Sequence, residues 1–136
     1  MNIREVNGQK GFTLIELMIT VAVVVTIVVG FLGATTALQM ANQAAYERSV
    51  ALQDANQVIE QIRNTAGTGT FPANVTAVYA NNAAVSGFTT LTNEAVTVAY
   101  ANAAADPLDV TVTVSYSENG RRTMSTKLRT YITQRV

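Results

Sequence analysis

The side chain best placed to do chemistry is Glu16, an acid that lies four residues inside an almost continuous run of Val, Ile, Leu and Phe. An ionised carboxylate is costly in such surroundings unless a cation accompanies it. The start of the run is also unusual, because the polar residues Gln9 and Lys10 lead into it through Gly11 and Phe12. Glu16 and this junction are therefore the first candidate functional residues.

Cysteine and histidine are absent from the 136 residues. The chain therefore lacks a thiolate nucleophile, an imidazole base and the usual zinc ligands. Its nine Asp and Glu residues are dispersed, and they do not form the paired carboxylates of a general acid and base. We expect no enzymatic activity, no catalytic residue, no metal and no cofactor.

Residues 12–32 are long and apolar enough to cross a bilayer. They contain fourteen Val, Ile, Leu and Phe residues, and no charge follows Glu16 until Glu47. At about 0.3 to 0.6 kcal/mol each, these side chains favour insertion by roughly 6 kcal/mol, whereas one acid opposes it by at most about 3 kcal/mol. The sequence therefore predicts a membrane-spanning helix.

The basic residues on either side of this segment predict its orientation. Arg4 and Lys10 precede it, and the next basic residue is Arg48. Because basic residues that flank a span are retained in the cytoplasm, the first ten residues are expected inside the cell and the chain after Leu38 outside. The predicted topology is N-in and C-out.

The junction and the first residues of the run resemble the processing motif of type IV prepilins and type II secretion pseudopilins. The motif reads Gly11-Phe12-Thr13-Leu14-Ile15-Glu16-Leu17-Met18, and the resemblance extends over residues 8 to about 33. It implies that residues 1–11 are a leader. It also implies that a membrane-embedded prepilin peptidase cuts after Gly11 and methylates the new N-terminus, Phe12.

The same resemblance implies that Glu16 acts in filament assembly. Cutting removes Arg4 and Lys10 and leaves a terminal amine on Phe12, so the helix can leave the bilayer. In a filament core, the Phe12 amine of a neighbouring subunit would neutralise Glu16. That attraction is about 4 kcal/mol at an effective dielectric near 20, before the desolvation cost, so it selects axial register more than it adds affinity. Alternatively, Glu16 belongs to a monomeric anchor and extends towards the inner headgroups.

Apolar residues recur at intervals of three and four after the membrane segment, which predicts that the helix continues to about Asn64. The predicted inward-facing residues are Leu52, Ala55, Ile59 and Ile62. The residues assigned to the exposed surface are Glu47, Arg48, Gln53, Asp54 and Glu60.

The end of this helix resembles that of minor pilins and minor pseudopilins, in which an alanine-rich segment ends in an acid, two spacers and an arginine. The corresponding residues here are Glu60 and Arg63. The resemblance favours a minor subunit. Alternatively, the two residues form an ordinary exposed ion pair on one helix face.

Gly67, Gly69 and Pro72 end the helix and introduce a region rich in Thr, Ala and Asn, in which we predict four short strands. The first three cover residues 74–80, 95–101 and 109–116, and the last follows a hairpin turn at Asn119 and Gly120.

Two of these strands have clear alternation. The predicted inward-facing residues are Val110, Val112, Val114 and Tyr116 in the third strand, and Met124, Leu128 and Ile132 in the last. The outer face of the last strand holds Arg121, Lys127 and Arg129. An antiparallel sheet that packs on the apolar face of the helix is expected.

Charge is segregated along the C-terminal half, since residues 64–120 contain four acids and no base, and residues 121–136 contain five bases and no acid. Neighbouring subunits could use this difference for lateral register, or the bases could protect an edge strand. A basic strand would also suit DNA uptake. Because Tyr131 alone provides an aromatic ring on that face, nucleic acid is not expected as a partner.

The prediction for the whole chain is an α+β fold of the type IV pilin kind, with a long N-terminal helix packed against a small C-terminal antiparallel sheet. It comprises a leader (1–11), a transmembrane or filament-core helix (12–38), an amphipathic helical half (39–64) and a sheet domain (65–136).

The predicted function is a structural subunit, preferably minor, of a type IV pilus or a type II secretion-like filament. The expected partners are other pilin or pseudopilin subunits, prepilin peptidase, the inner-membrane assembly platform and, before assembly, membrane lipid. The precursor is expected in a bacterial inner membrane and the product in a periplasmic or cell-surface filament. The alternatives are a single-pass anchored extracytoplasmic binding or sensory domain, a DNA-uptake pilin, and a secreted adhesin whose signal ends near Ala37.

Overall fold

A computed structural model describes residues 11–134, which fall into two compact units divided between Gln39 and Met40. Most of the predicted leader, including Arg4 and Lys10, lies outside the described residues, as does Arg135. Each unit is considered separately below.

Helix α1 spans Leu14–Ala66 and contributes residues to both units. Thr13 precedes it, and the Thr13 Oγ1 atom accepts the backbone N–H of Glu16 over 3.3 Å. This contact satisfies one of the amide donors that every helix start leaves unpaired. At the other end the Gly67 N–H bonds the carbonyls of Arg63 and Asn64, at 3.3 and 3.2 Å. The helix therefore ends at Ala66, beside the predicted helix breaker Gly67 and two residues beyond the predicted end at Asn64.

In the second unit one face of α1 is buried. The residues on that face differ from the predicted inward-facing residues. The apolar residues buried there are Ala51, Ala55, Val58, Ile59, Ile62 and Ala66. Leu52 is 39% exposed, so its assignment to the buried face is wrong. The steps from residue 51 through 55, 58 and 62 to 66 are four, three, four and four, which keeps these residues on one face of a 3.6-residue helix. Leu52 lies one position off this row.

Residues 74–80 do not form the predicted strand, because they belong mainly to a short helix, α2 (Ala73–Val78). Val75 is fully buried, and Phe71 and Tyr79 pack against the same core. These three residues are four apart, which is a helical spacing. The Asn74 side chain also donates to the carbonyl of Thr65 over 2.6 Å and ties α2 to the end of α1.

Four antiparallel strands follow in chain order, and each pairs with its neighbour in sequence. They are β1 (Ala84–Val85), β2 (Ala95–Tyr100), β3 (Leu108–Glu118) and β4 (Arg122–Ile132). The predictions of β2, β3 and β4 are confirmed, whereas β1 was not predicted. Val112 lies opposite Val98 on β2 and Leu128 on β4, which fixes the register.

The predicted alternation of β3 is also confirmed. Its buried residues are Leu108, Val110, Val112, Val114 and Tyr116, and the intervening Thr and Ser residues are half-buried. Together with the buried face of α1, these residues form one hydrophobic core. A long N-terminal helix and a C-terminal antiparallel sheet give the predicted α+β, pilin-like layout.

β4 lies at an edge of the sheet, and its basic residues are partly neutralised by the strand beside it. Arg129 pairs with Asp109 and Arg122 pairs with Glu118, both of them acids of β3. The acids and bases that are separate in the sequence therefore meet within the sheet. The edge position agrees with the interpretation that the basic residues discourage unwanted strand pairing.

Candidate processing and assembly site

Gly11 and Phe12 precede the first turn of α1, and Phe12 is 81% exposed. A Cβ atom added to Gly11 would meet no heavy atom within 4 Å. Among the described residues, packing therefore does not require a glycine at position 11. A requirement for glycine there would come from recognition by another protein.

Glu16 lies in the first turn of α1, with its side chain exposed. Its backbone carbonyl accepts the hydroxyl of Thr20 over 2.8 Å. Thr13 and Glu16 are three residues apart, which is the spacing of a capping box, and sequence reasoning did not use this signal for the helix start. A negative charge in the first turn also suits the positive end of the helix dipole. Glu16 thus has a local role as well as its predicted one.

The remainder of the first unit exposes its apolar side chains. Large residues from Leu14 to Leu38 are each at least half exposed. The most apolar window of α1 has a mean hydropathy of 2.7, and none of it is buried. By length and composition, this part of α1 fits a transmembrane anchor. Glu16 is the one charged residue of α1 in this unit. It takes part in none of the three ion pairs found among residues 11–134.

A family model for the prokaryotic N-terminal methylation motif matches residues 6–38. The chain carries a prepilin-type methylation motif. The match confirms the resemblance to type IV pilins and pseudopilins, and it supports a pilin-like precursor processed by prepilin peptidase and anchored in the inner membrane. It also points to a structural subunit that assembles with other pilin subunits. No match was found among curated proteins or among solved structures.

Beyond the region of the methylation motif, Glu60 and Arg63 form an exposed ion pair. The Arg63 Nη1 atom lies 2.6 Å from the Glu60 Oε1 atom, and the two side chains are 50% and 61% exposed, respectively. This geometry is that of a solvated pair on one helix face, which contributes little to stability. The pair is therefore accounted for without a filament-specific role.

Glu47 was assigned to the exposed face of the helix, and that prediction is wrong because only 9% of it is exposed. The Glu47 carboxylate accepts the backbone N–H of Asn119 over 3.0 Å and the side-chain amide of Gln43 over 3.1 Å. A buried carboxylate is tolerated when such donors replace water. Asn119 belongs to the β3–β4 turn, so the helix sequence alone could not reveal this partner.

Asp54 was also predicted to be exposed, and it is only 8% exposed. It faces Glu94, a residue of the β1–β2 loop (residues 86–94), within hydrogen-bonding reach of its carboxyl group. Burial, followed by the hydrogen bond and the charge of Glu94, raises the pKa of Asp54 to about 6. The two acids are forty positions apart in sequence, and neither has a local signal of the contact.

Asp109 and Arg129 lie on adjacent strands and form a forked contact. Arg129 Nε donates to Asp109 Oδ1 over 2.8 Å, and its Nη2 atom donates to Oδ2. The guanidinium lowers the pKa of Asp109, and the carboxylate raises the pKa of Arg129. Arg129 also lies 5.8 Å from the centre of the exposed Tyr131 ring. Arg129 and Arg122 are thus both paired with acids of β3, whereas Lys127 of β4 takes part in none of the three ion pairs described within residues 11–134.

Proposed function

We propose that the chain is a structural subunit of a type IV pilus or a type II secretion-like filament, and we prefer a minor pilin or minor pseudopilin because the helix over residues 46–63 resembles that of minor subunits. The observation that carries this proposal is the coincidence of two features in one segment. Residues 6–38 match the methylation motif, and the helix within them exposes apolar side chains while carrying a single acid, Glu16. An exposed apolar helix requires lipid or other helices around it.

In the proposed pathway, prepilin peptidase cuts after Gly11 and methylates the amine of Phe12. Cutting removes Arg4 and Lys10, which resist transfer through hydrocarbon, so the helix changes from a fixed anchor into an extractable one. Phe12 is exposed and precedes the helix, so the geometry supports access of its amine to another molecule.

Glu16 is the proposed partner of that amine in a neighbouring subunit. Its exposed carboxylate makes no ion pair among residues 11–134. Once water is excluded by packed helices, an unpaired carboxylate becomes costly, and an amine at the correct height removes that cost. The pairing therefore favours one axial register over others.

The proposed division of the chain follows this pathway. Residues 1–11 are the leader, 12–38 form the anchor and later the filament core, 39–64 continue the helix, and 65–136 form the sheet domain. The leader faces the cytoplasm and the sheet domain faces outward. The inner-membrane assembly platform then moves the subunit from lipid into a periplasmic or surface filament.

The intact mass of the protein isolated from membranes tests this proposal. A chain that starts at methylated Phe12 supports a processed subunit. A chain that starts at Met1 supports a single-pass anchored domain instead, and one that starts near Gln39 supports a secreted protein. Gly11→Val should leave the leader in place, whereas the matched change Gly33→Val, within the span, should leave processing intact.

A further inference from the structure

The carboxyl groups of Asp54 and Glu94 lie together in the second unit, and one oxygen atom of each has no hydrogen-bond partner within residues 11–134. Asp54 Oδ2 and Glu94 Oε1 are buried and have no hydrogen-bond partner among the described residues. The other oxygen of Glu94, Oε2, accepts the backbone N–H of Leu91 over 3.0 Å. Asp54 is on α1 and Glu94 is in the β1–β2 loop, so the contact joins two separate elements.

Two ionised carboxylates cannot satisfy one another, because each offers only acceptors and both carry negative charge. A single proton between them provides the missing donor and removes one charge. We propose that Asp54 and Glu94 share one proton and act as a pH-operated latch, which holds the β1–β2 loop on α1 in acid and releases it as the proton is lost.

The charged groups of α1 offer no buried cation to replace the proton. The residues one turn from Asp54 are Val50, Ala51, Gln57 and Val58, which carry no charge. The next charged residues along the helix are Arg48 and Glu60, both exposed, and Glu47 is the next charge on the buried face. Glu94 is the one titratable group that shifts the pKa of Asp54, and on β3 the hydroxyl of Tyr116 is also buried without a partner among the described residues. The three described ion pairs involve other residues.

The contacts of the β1–β2 loop explain how loss of the proton would spread. Leu91 is buried in the core, and its N–H depends on Glu94 as acceptor. The carbonyl of Thr92 accepts the N–H of Ser117 over 2.8 Å, and the Asn93 side chain donates to the Ser117 hydroxyl over 3.2 Å. Repulsion at Glu94 therefore loosens a loop that also contacts the end of β3.

Titration of the full chain in detergent micelles tests the latch directly. Carbon-13 spectra of the carboxyl groups should show Asp54 still protonated at pH 5 and ionised at pH 7.5, because its pKa is raised from 3.8 to about 6. Hydrogen exchange at the Leu91 amide, corrected for its intrinsic rate, should lose about tenfold of its protection between these pH values, because pH 5 lies about one unit below the raised pKa and each unit corresponds to a factor of ten.

Glu94→Gln is the informative variant, because the amide retains an acceptor for Leu91 and donates permanently to Asp54. Protection of the Leu91 amide should then be equal at pH 5 and pH 7.5. The control Asp106→Asn changes an exposed acid near β3 and should keep the wild-type pH dependence.

Two results would overturn the latch. The first is a wild-type Asp54 that is already ionised at pH 5 while Leu91 protection stays constant. The second is recovery of Leu91 protection at pH 7.5 on addition of calcium, which would identify the pair as a cation site. Neither result depends on whether the chain assembles into filaments, so both are separable from failure of the proposed function.

Discussion

Glu47 on α1 accepts the backbone N–H of Asn119, which lies 72 positions later in the turn between the two longest strands. The contact joins the β3–β4 turn to α1, and Asn119 is held at a positive φ of 50°. Asparagine tolerates this left-handed conformation better than most residues. The conformation of the turn is thus favoured by its own asparagine, and its position is held by the hydrogen bond to Glu47.

Removal of this acceptor should weaken the sheet domain. Glu47→Ala leaves the Asn119 N–H without its partner in a partly buried site, which should lower the free energy of unfolding by about 1 to 3 kcal/mol. Denaturant titration of the full chain in detergent, followed by tyrosine circular dichroism, measures the change. The matched variant Glu60→Ala removes an acid from the same helix that is 61% exposed, and it should cost less than about 1 kcal/mol. Equal effects of the two changes would contradict the assignment.

Two apolar residues of α1 that were both predicted to face inward should differ in their contribution to the free energy of unfolding. Ile62 is fully buried, whereas Leu52 is 39% exposed. Ile62→Ala should lower the free energy of unfolding by about 2 to 5 kcal/mol, because it leaves a cavity in the core. Leu52→Ala should cost much less in the same denaturant titration. A larger loss for Leu52 would show that the buried face has been misassigned.

The contact of Asp109 with Arg129 predicts a pH dependence of its own. Because the folded protein holds the pKa of Asp109 below its ordinary value, the pair stabilises the fold fully above about pH 4 and loses its effect as the pH falls through the lowered pKa. Asp109→Asn should therefore lower the melting temperature at pH 7, and the difference from wild type should shrink as the pH falls below about 4.

Salt provides the check on that interpretation. The pair is solvent-accessible on the arginine side, so 1 M sodium chloride should reduce the difference between Asp109→Asn and wild type at pH 7. A difference that persists unchanged both in high salt and as the pH is lowered below about 4 would indicate that packing rather than charge is responsible.

Glu16→Val should separate assembly from processing. The substitution makes the span more apolar, so membrane insertion and leader removal should proceed as in the wild type. Incorporation into sheared filaments should fall about tenfold or more, since tenfold corresponds to only about 1.4 kcal/mol of net pairing free energy. Quantitative blotting of the filament fraction measures this, with Glu60→Gln as the control on the same helix. Wild-type incorporation of Glu16→Val would contradict the pairing with the Phe12 amine.

The parts of the fold that could be predicted have a regular pattern of apolar residues over a short stretch of sequence. The apolar run that begins at Phe12 indicates a spanning helix, and the alternation from Val110 to Tyr116 predicts β3 with the correct inner face. In both segments, the residues that pack together are close in sequence and repeat several times. Gly11, Phe12 and Glu16 were assigned from a contiguous motif that lies within the region matched by the methylation-motif model, and their individual roles stay predictions.

The parts that were missed depend on contacts distant in sequence. Val75 and Val78 favour a strand by propensity, but the core accepts Val75 together with Phe71 and Tyr79, and that spacing requires a helix. Asp54 and Glu47 resemble solvent-facing acids because their partners lie in a loop and a turn far along the chain. Charge patterns on a helix do not contain that information.

The order of the strands has a consequence for how the sheet domain is made. Each strand pairs with the one that precedes it, so ordering can proceed by successive local hairpins with little search over distant partners. Ile132, near the end of β4, is nevertheless part of the core. A sheet domain that crosses the membrane in chain order, from β1 to β4, would thus keep part of its apolar core exposed until almost its last residues have passed, and that interval is when it most needs protection from aggregation.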